Sequence, residues 1–338
     1  MKFGPVAIAA AEGGILAHSL RTESLSLKKG ERLTRAHVET LQAAGFKDVV
    51  VAQLEADDIS EDEAAARVAA AISGKNVRVD RAFTGRANLF AQCNGVLVAD
   101  PALVDALNEV DEQVTLATLP HHRAVVEGEM IGTVKVIPFA VPEKTVAQAI
   151  SAFPAKGLSI SPYAPKRVAV ISTLLPGLKS STVEKTLRVM AERIAPAAAR
   201  IVAEERVAHE QAALAAAITR HLDHCDLMIV FGASAITDRR DVIPAALQEA
   251  GGIIEQFGMP VDPGNLLLIG QIAGKAFLGA PGCARSPKEN GFDWVLQRML
   301  ADIPVTAADI RRMGSGGLLM EIVTRPQPRS GEASHVED

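Results

Sequence analysis

The second half of the chain alternates between short apolar runs and longer segments with helical spacing. Strands are predicted at five apolar runs, at 168–171, 200–203, 226–231, 266–269 and 275–278. Helices are predicted between and after them at 181–194, 209–221, 243–250 and 292–300. This alternation is typical of a parallel sheet with helices on both faces. We therefore predict that residues 165–313 form an α/β domain with a doubly wound, mostly parallel sheet.

The first half of the chain is less regular. A helix is predicted at 34–44, bounded by Gly45 and followed by an apolar run at 49–52. A second helix is predicted at 60–72, where Ser60 and Glu63 have the spacing of a capping box. The β-branched composition of 127–140 predicts a strand. Residues 1–160 are therefore predicted to form an N-terminal α+β domain.

The domain boundary is predicted in the segment 153–167, which gathers three prolines and a glycine without apolar periodicity. Polar residues and prolines dominate the end of the chain. Such a composition cannot bury enough apolar surface to fold, so residues 325–338 are predicted to be a disordered tail.

Composition narrows the class of protein. Of 338 residues, 48% are hydrophobic, but no run approaches the roughly 18 to 20 apolar residues of a membrane span. The net charge is −5 and no Lys/Arg-rich run is present, which excludes an electrostatic footprint for nucleic acid. The three cysteines are far apart and lack CxxC spacing, which indicates reduced thiols. Because Glu12 interrupts the apolar start, a secretory signal is disfavoured and a cytoplasmic protein is expected.

Candidate binding residues lie in the loops that follow the predicted strands, where open α/β sheets bind ligands. The first loop begins with Ser172 and Thr173 and continues to hydroxyls and a lysine before a helix. Two Pro-Gly loops follow later in the chain, one before 266–269 and one after 275–278. Their candidate residues are Pro263, Gly264 and Asn265 in the former, and Pro281, Gly282 and Ser286 in the latter.

The loop after 226–231 has two interpretations. It starts with Gly232, Ala233 and Ser234, small residues that allow close approach of backbone to a ligand. It continues with two carboxylates around two guanidiniums, in the order Asp238, Arg239, Arg240, Asp241. One interpretation is a surface salt-bridged turn in which the second aspartate caps a helix. The other assigns the arginines to phosphate and an aspartate to Mg²⁺ or a pterin N–H.

Taken together and in this order, the loops resemble the molybdopterin-binding fold of molybdopterin adenylyltransferases and molybdopterin molybdotransferases. The chain departs from the family pattern at several positions. Ala233 replaces the second glycine, Asn265 replaces a lysine and Cys283 replaces an asparagine. In the first loop, Leu174 and Leu175 replace a glycine and an acid. Chemistry that relies on that acid is not expected.

The upstream half resembles the molybdotransferase-like branch at 28–33, 85–89 and 133–139. That branch ends in a small β-domain. Only 302–323 follow the last predicted helix before the tail, which is too short for such a barrel. The resemblance therefore implies a member of that branch that lacks its C-terminal β-domain.

The resemblance implies a ligand, a set of roles and two alternative functions. The ligand is molybdopterin or a nucleotide-linked form, bound by the three later loops together with Ser172 and Thr173. Asp238 and Asp241 are the implied catalytic residues and Mg²⁺ ligands, with Arg239 and Arg240 on phosphate. One function is that of a transferase in molybdenum cofactor biosynthesis, either a molybdotransferase or a nucleotidyltransferase. The alternative is a non-catalytic carrier that works with a nucleotidyltransferase or a molybdoenzyme. A homo-oligomer is expected in both cases.

Competing classes of function match the chain less well. A nicotinamide-binding domain needs GxGxxG directly after a strand, and no strand is followed by it. A serine hydrolase needs GxSxG, whereas Ser234 lacks the final glycine. His121 with His122, and His221 with His224, could ligate a metal, but solvated histidines at helix ends are more common.

Overall fold

The computed structural model describes residues 1–23, 25–153, 156–262 and 264–319. The chain divides into two compact units, Met1–Tyr163 and Ala164–Asp338. The tail predicted at 325–338 and the candidate residue Pro263 lie outside the described residues.

Unit 1 contains short strands and four helices among its described residues. Its strands are β1 (Lys2–Ala7), β2 (Ile15–Leu16), β3 (Leu20–Arg21), β4 (Ser26–Leu27), β5 (Asp48–Gln53), β6 (Asp58–Ser60), β7 (Val77–Val79), β8 (Arg86–Ala91), β9 (Gly95–Val98), β10 (Val114–Thr118), β11 (Ala124–Val125), β12 (Met130–Val136), β13 (Ala140–Pro142) and β14 (Ser159–Pro162). Its helices are α1 (Arg35–Ala43), α2 (Glu61–Ile72), α3 (Pro101–Asn108) and α4 (Glu143–Ala152).

The ladders of unit 1 are antiparallel. They form small sheets in the orders β1-β5-β2, β10-β12-β8-β7, β11-β9-β14, β13-β6 and β3-β4. The predicted helices at 34–44 and 60–72 are confirmed as α1 and α2. Ser60 caps α2, because its hydroxyl accepts the backbone N–H of Glu63. The predicted strand at 127–140 is confirmed as β12.

Unit 2 alternates between strands and helices. Its strands are β15 (Arg167–Leu174), β16 (Arg200–Ala208), β17 (Leu227–Phe231), β18 (Ile253–Met259), β19 (Asn265–Ile272) and β20 (Lys275–Ala280). Its helices are α5 (Ser180–Ile194), α6 (Gln211–His221), α7 (Val242–Glu249), α8 (Gly291–Leu300) and α9 (Ala307–Arg312). The five predicted strands are confirmed, but β18 was missed and β16 extends five residues beyond the predicted end at 203.

The six strands form one mixed sheet in the order β16-β15-β17-β20-β19-β18. The first three pairings are parallel, whereas β20-β19 and β19-β18 are antiparallel. A mixed α/β architecture is therefore confirmed, and the doubly wound, mostly parallel sheet is not. The physical reason is the short turn at Ala273 and Gly274, both with positive φ, which reverses the chain directly from β19 into β20. Parallel strands would require a crossover connection of a dozen or more residues.

The central strands of this sheet are buried on both faces. Ala169 and Ile171 of β15 pack with α6 and α7 residues in one hydrophobic core, together with Met228 and Val230 of β17. Their neighbours Val168, Val170 and Ile229 point to the opposite face and are also fully buried. Continuous apolar runs in β15 and β17 are explained by this double burial.

Candidate functional site

The carboxyl ends of three neighbouring strands bring the candidate loops together. Ser172 of β15 is aligned with Phe231 of β17, which is in turn aligned with Ala280 of β20. The loops after these strands therefore start at one end of the sheet, which we call the carboxyl end. β19 runs antiparallel to β20 and begins at this end with Asn265. Ser172, Gly232, Asn265 and Pro281 are thus located at this same end of the sheet.

Thr173 connects three of the elements at the carboxyl end. Its side chain is buried, and its hydroxyl accepts the backbone N–H of Ala233 at 2.8 Å. The same oxygen lies 2.8 Å from Nδ1 of His209, which follows β16. His209 was missed because the predicted strand ended at 203, which assigned this residue to the next helix.

Ser172 points to the other face of the sheet than Thr173, because neighbouring strand residues alternate. Its residue is 2% exposed, and its Oγ has no hydrogen-bond partner among the described residues. The hydroxyl of Ser172 is therefore buried inside the protein, although the residue lies in β15 near the carboxyl end of the sheet.

Gly232 and Arg285 form a second connection between loops. The carbonyl of Gly232 accepts Nη2 of Arg285 at 2.8 Å. A Cβ at Gly232 would lie 2.6 Å from the carbonyl oxygen of Ser234, so the tight bend requires glycine. The guanidinium also donates to Oγ1 of Thr186 in α5 at 3.0 Å and lies 5.2 Å from the ring centroid of Phe231.

The charge of Arg285 is partly withdrawn from water, and no carboxylate among the described residues pairs with it. Burial lowers the pKa of this guanidinium from its usual value, and no described acid opposes the shift. A guanidinium has five N–H donors, of which the described contacts use two. Arg285 was missed as a site residue because its partners lie 53 and 99 positions away in the chain.

The charged turn after β17 is exposed and makes local contacts. Ser234, Asp238, Arg239 and Arg240 are all exposed. The carboxylate of Asp238 accepts Nε and the backbone N–H of Arg240, and this pairing lowers the pKa of Asp238. The side chain of Arg240 is 92% exposed.

Asp241 is the N-cap of α7. Its Oδ1 accepts the backbone N–H of Val242 at 2.8 Å, and its Oδ2 accepts that of Thr237 at 3.1 Å. These contacts match the capping interpretation of the sequence. No group of three or more potential metal ligands is found among residues 1–23, 25–153, 156–262 and 264–319. Magnesium binding by Asp238 and Asp241 stays a prediction.

The two Pro-Gly loops contact each other through Asn265 and Cys283. Nδ2 of buried Asn265 lies 3.5 Å from Sγ of Cys283, which also contacts Oδ1 of Asn290 at 3.4 Å. Burial raises the pKa of the Cys283 thiol. Gly264 and Gly282 are exposed beside this contact, and Gly264 has a φ of +89°. Asn265 and Cys283, which lie 18 positions apart in the chain, are therefore neighbours in space.

A buried ion pair between α5 and α8 contacts the backbone of the last Pro-Gly loop and stabilises it. Arg193 of α5 donates Nε to Asp293 of α8 at 2.5 Å, and the two side chains are 8% and 9% exposed. The same guanidinium donates to the carbonyls of Ala284, Ser286 and Lys288. Pro281 is buried at the start of the loop, and Ser286 is half-buried at its end.

A cleft of about 560 Å³ lies at the opposite, amino end of the parallel strands. Its lining includes Lys166, Asp226, Glu255, Lys275, Asp302 and Pro304. Lys166 pairs with Asp302, Asp226 pairs with Arg167, and Lys275 donates to the carbonyl of Leu222. Most of the charges in this cleft are therefore matched within the protein.

Comparisons with known proteins give one short family match and several structural similarities. The model of a domain of unknown function (DUF8806) matches residues 5–53. No curated protein matches the chain. Among solved structures, the molybdopterin biosynthesis MoeA protein from Pyrococcus horikosii is 14% identical, with a TM-score of 0.29 over 93% of this chain and 77% of that one.

Two other solved structures are similar at the same level. The CinA protein of unknown function from Thermoplasma acidophilum is 19% identical, with a TM-score of 0.29 over 41% of this chain and 99% of its own. A molybdenum cofactor biosynthesis protein from Pyrococcus furiosus is 11% identical, with a TM-score of 0.25 over 89% of this chain. This chain covers 64% of that protein. Within the part of the chain that the structure describes, no helix is long and apolar enough to cross a membrane.

Proposed function

We propose that unit 2 binds molybdopterin, or a nucleotide-linked form of it, at the carboxyl end of its sheet, and that the protein takes part in molybdenum cofactor biosynthesis. In this proposal, unit 2 is a variant of the molybdopterin-binding fold. The observation that carries the proposal is Arg285, a half-buried cation without a described carboxylate partner, located where the candidate loops converge.

The chemistry of the ligand suits this arrangement. Molybdopterin carries a phosphate, and a guanidinium binds phosphate oxygens with strong, charge-assisted hydrogen bonds. Desolvation strengthens such a contact because the local dielectric constant is lower than in water. Gly232, Ala233 and Gly282 have little or no side chain, which suits the close approach of a flat pterin to these loops.

The contacts of Asp238 and Asp241 favour the carrier function over the catalytic function. Both oxygens of Asp241 accept backbone N–H groups, and Asp238 pairs with Arg240. Leu174 and Leu175 also stand where the resembled families have a glycine and an acid. In the carrier function, the protein holds the cofactor for a nucleotidyltransferase or a molybdoenzyme. In the catalytic function, Asp238 and Asp241 release these contacts to bind Mg²⁺.

Titration of the full chain with molybdopterin under anaerobic conditions tests the binding. We expect saturable binding that Arg285→Met weakens about 10- to 100-fold, because a hydrogen-bonded charge contributes roughly 1.5 to 3 kcal/mol. Arg188→Met is the matched control, since this arginine is exposed on α5. Absence of binding by the unsubstituted protein, or equal loss in both variants, would contradict the proposal.

A turnover assay separates the two functions. The protein is incubated with molybdopterin, Mg²⁺, molybdate and either ATP or CTP, and the products are analysed. Binding without a product supports the carrier. A product whose formation is abolished by Asp238→Asn, with molybdopterin affinity unchanged, supports the transferase.

A further inference from the structure

The edge strand β16 combines length with an unusual order of charges. It is nine residues long, and among the described strands it pairs on one side only, with β15. Its sequence from Val202 to Ala208 places two apolar residues at each end and Glu204, Glu205 and Arg206 in the middle. Charged residues on an edge strand usually discourage pairing with other chains. Here the order of the charges matters, because in an antiparallel pairing of two copies the acidic Glu204 of one strand lies opposite the basic Arg206 of the other.

The backbone of β16 presents free hydrogen-bonding groups in a definite register. The N–H of His209 donates to Leu174 of β15, so the backbone groups of residues 203, 205 and 207 also face β15. The N–H and C=O groups of Glu204 and Arg206 consequently face away from the sheet. An antiparallel partner strand can form ladder hydrogen bonds with these two residues.

We propose that two copies of this chain associate through β16, paired antiparallel about Glu205, to form one continuous sheet. This register places Glu204 of each copy opposite Arg206 of the other, as a pair that exchanges two backbone hydrogen bonds. It also places Ala203 opposite Val207, whereas Val202 is the extra residue of a β-bulge in β16 and lies outside the regular register. Two reciprocal ion pairs and two apolar pairs result, each of a kind that stabilises neighbouring strands.

The central pair of this register brings Glu205 of one copy opposite Glu205 of the other. Each of these two negative charges is neutralised by basic residues of its own copy. Glu205 accepts hydrogen bonds from Arg220 and lies 2.8 Å from Nε2 of His221, both at the end of α6. Each Glu205 therefore meets its counterpart as part of a matched cluster.

The register is tested by charge reversal at the two positions that face each other. The mass of the full chain in solution is measured by sedimentation equilibrium for the unsubstituted protein, Glu204→Arg and Arg206→Glu. We expect a dimer whose dissociation constant rises on the order of tenfold or more in each single variant, because two attractive cross-strand pairs become repulsive. Glu192→Arg, on the exposed surface of α5, has the same change of charge as Glu204→Arg and is expected to leave the dimer intact.

A mixture of the two single variants separates the cross-strand ion pairs from the ion pair within one chain. Glu204 and Arg206 also pair within one chain, and both single variants lose that contact. Mixed together, however, E204R and R206E restore opposite charges across the interface, so we expect a heterodimer as tight as the original dimer. Thermal melts establish that both variants are folded. A monomeric unsubstituted protein, a dimer indifferent to both reversals, or a mixture that stays monomeric would overturn the proposal.

Discussion

The two ends of the sheet in unit 2 differ in how their charges are matched. The amino end has the roomy cleft, yet Lys166, Asp226 and Lys275 there all have partners within the protein. Glu255 is its one lining charge without a described partner, and a carboxylate repels an anionic ligand. The carboxyl end has connected loops and the guanidinium of Arg285, which has no acidic partner in the part of the chain that the structure describes.

This comparison indicates that the volume of a cleft is not a sufficient criterion for a binding site, and that the unpaired charges around it also have to be considered. A cleft whose charges are already paired offers a ligand few interactions that water does not also offer. A desolvated cation with unused donors gains more from an anion, because removing a charge from water is costly until a partner replaces the lost hydration. For this reason we propose the carboxyl end as the site of the anionic ligand.

The largest effect is expected for the ion pair behind the last Pro-Gly loop. Arg193→Met leaves Asp293 buried without its partner, so we expect the free energy of unfolding to fall by about 3 to 5 kcal/mol. At the amino end, Lys166→Met removes a pair in which Asp302 is 64% exposed. Its expected cost is at most about 1 kcal/mol. Urea unfolding of both variants measures the difference, and equal losses would remove this distinction between the two ends.

A smaller effect is expected where Thr173 holds the loop after β17. Thr173→Val leaves the backbone N–H of Ala233 without its acceptor, which costs about 1 to 3 kcal/mol. The amide of Ala233 should therefore exchange with solvent about tenfold faster or more. Thr173→Ser keeps the hydroxyl and should preserve the slow exchange. If both substitutions leave the exchange rate of Ala233 unchanged, this hydrogen bond does not order the loop.

The smallest effect is expected in the exposed turn. Asp241→Ala removes the cap of α7 and should lower stability by roughly 0.5 to 2 kcal/mol while molybdopterin affinity is retained. Arg240→Met is the control within the same turn, and we expect no measurable change in melting temperature because its side chain is solvated. A D241A protein of unchanged stability that no longer binds molybdopterin would instead make Asp241 a ligand contact.

The sequence predicted the helices and strands of unit 2 better than it predicted the relative directions of the strands or the contacts between side chains. α5 and α6 were predicted because burial of one helical face leaves a period in the chain, and β15 was predicted because a strand buried on both faces is a short, continuous apolar run. β18 escaped because Gly258, with a φ of +74°, and polar residues interrupt its apolar pattern. The antiparallel direction of β19 was not predicted either, because a strand buried on both faces has the same composition in parallel and antiparallel ladders.

The candidate site was predicted at the level of loops and not of side-chain contacts. The glycines and small residues of the loops mark where the backbone turns, and this is a local property of the sequence. The contacts of Arg285 and His209 depend on residues that only the fold brings together, and no spacing in the chain signals them. For Asp241 the sequence allows two alternative roles, and the structure shows its capping contacts.

Hydrogen exchange of the full chain with and without molybdopterin tests most directly whether the ligand binds at the carboxyl end. We expect that saturating molybdopterin slows exchange of the backbone amides at 232–237 and 282–286, with no change at 271–276 or 302–306 at the amino end. Slower exchange confined to the amino-end segments, or no change in either set while the ligand is bound, would contradict the assignment of the site.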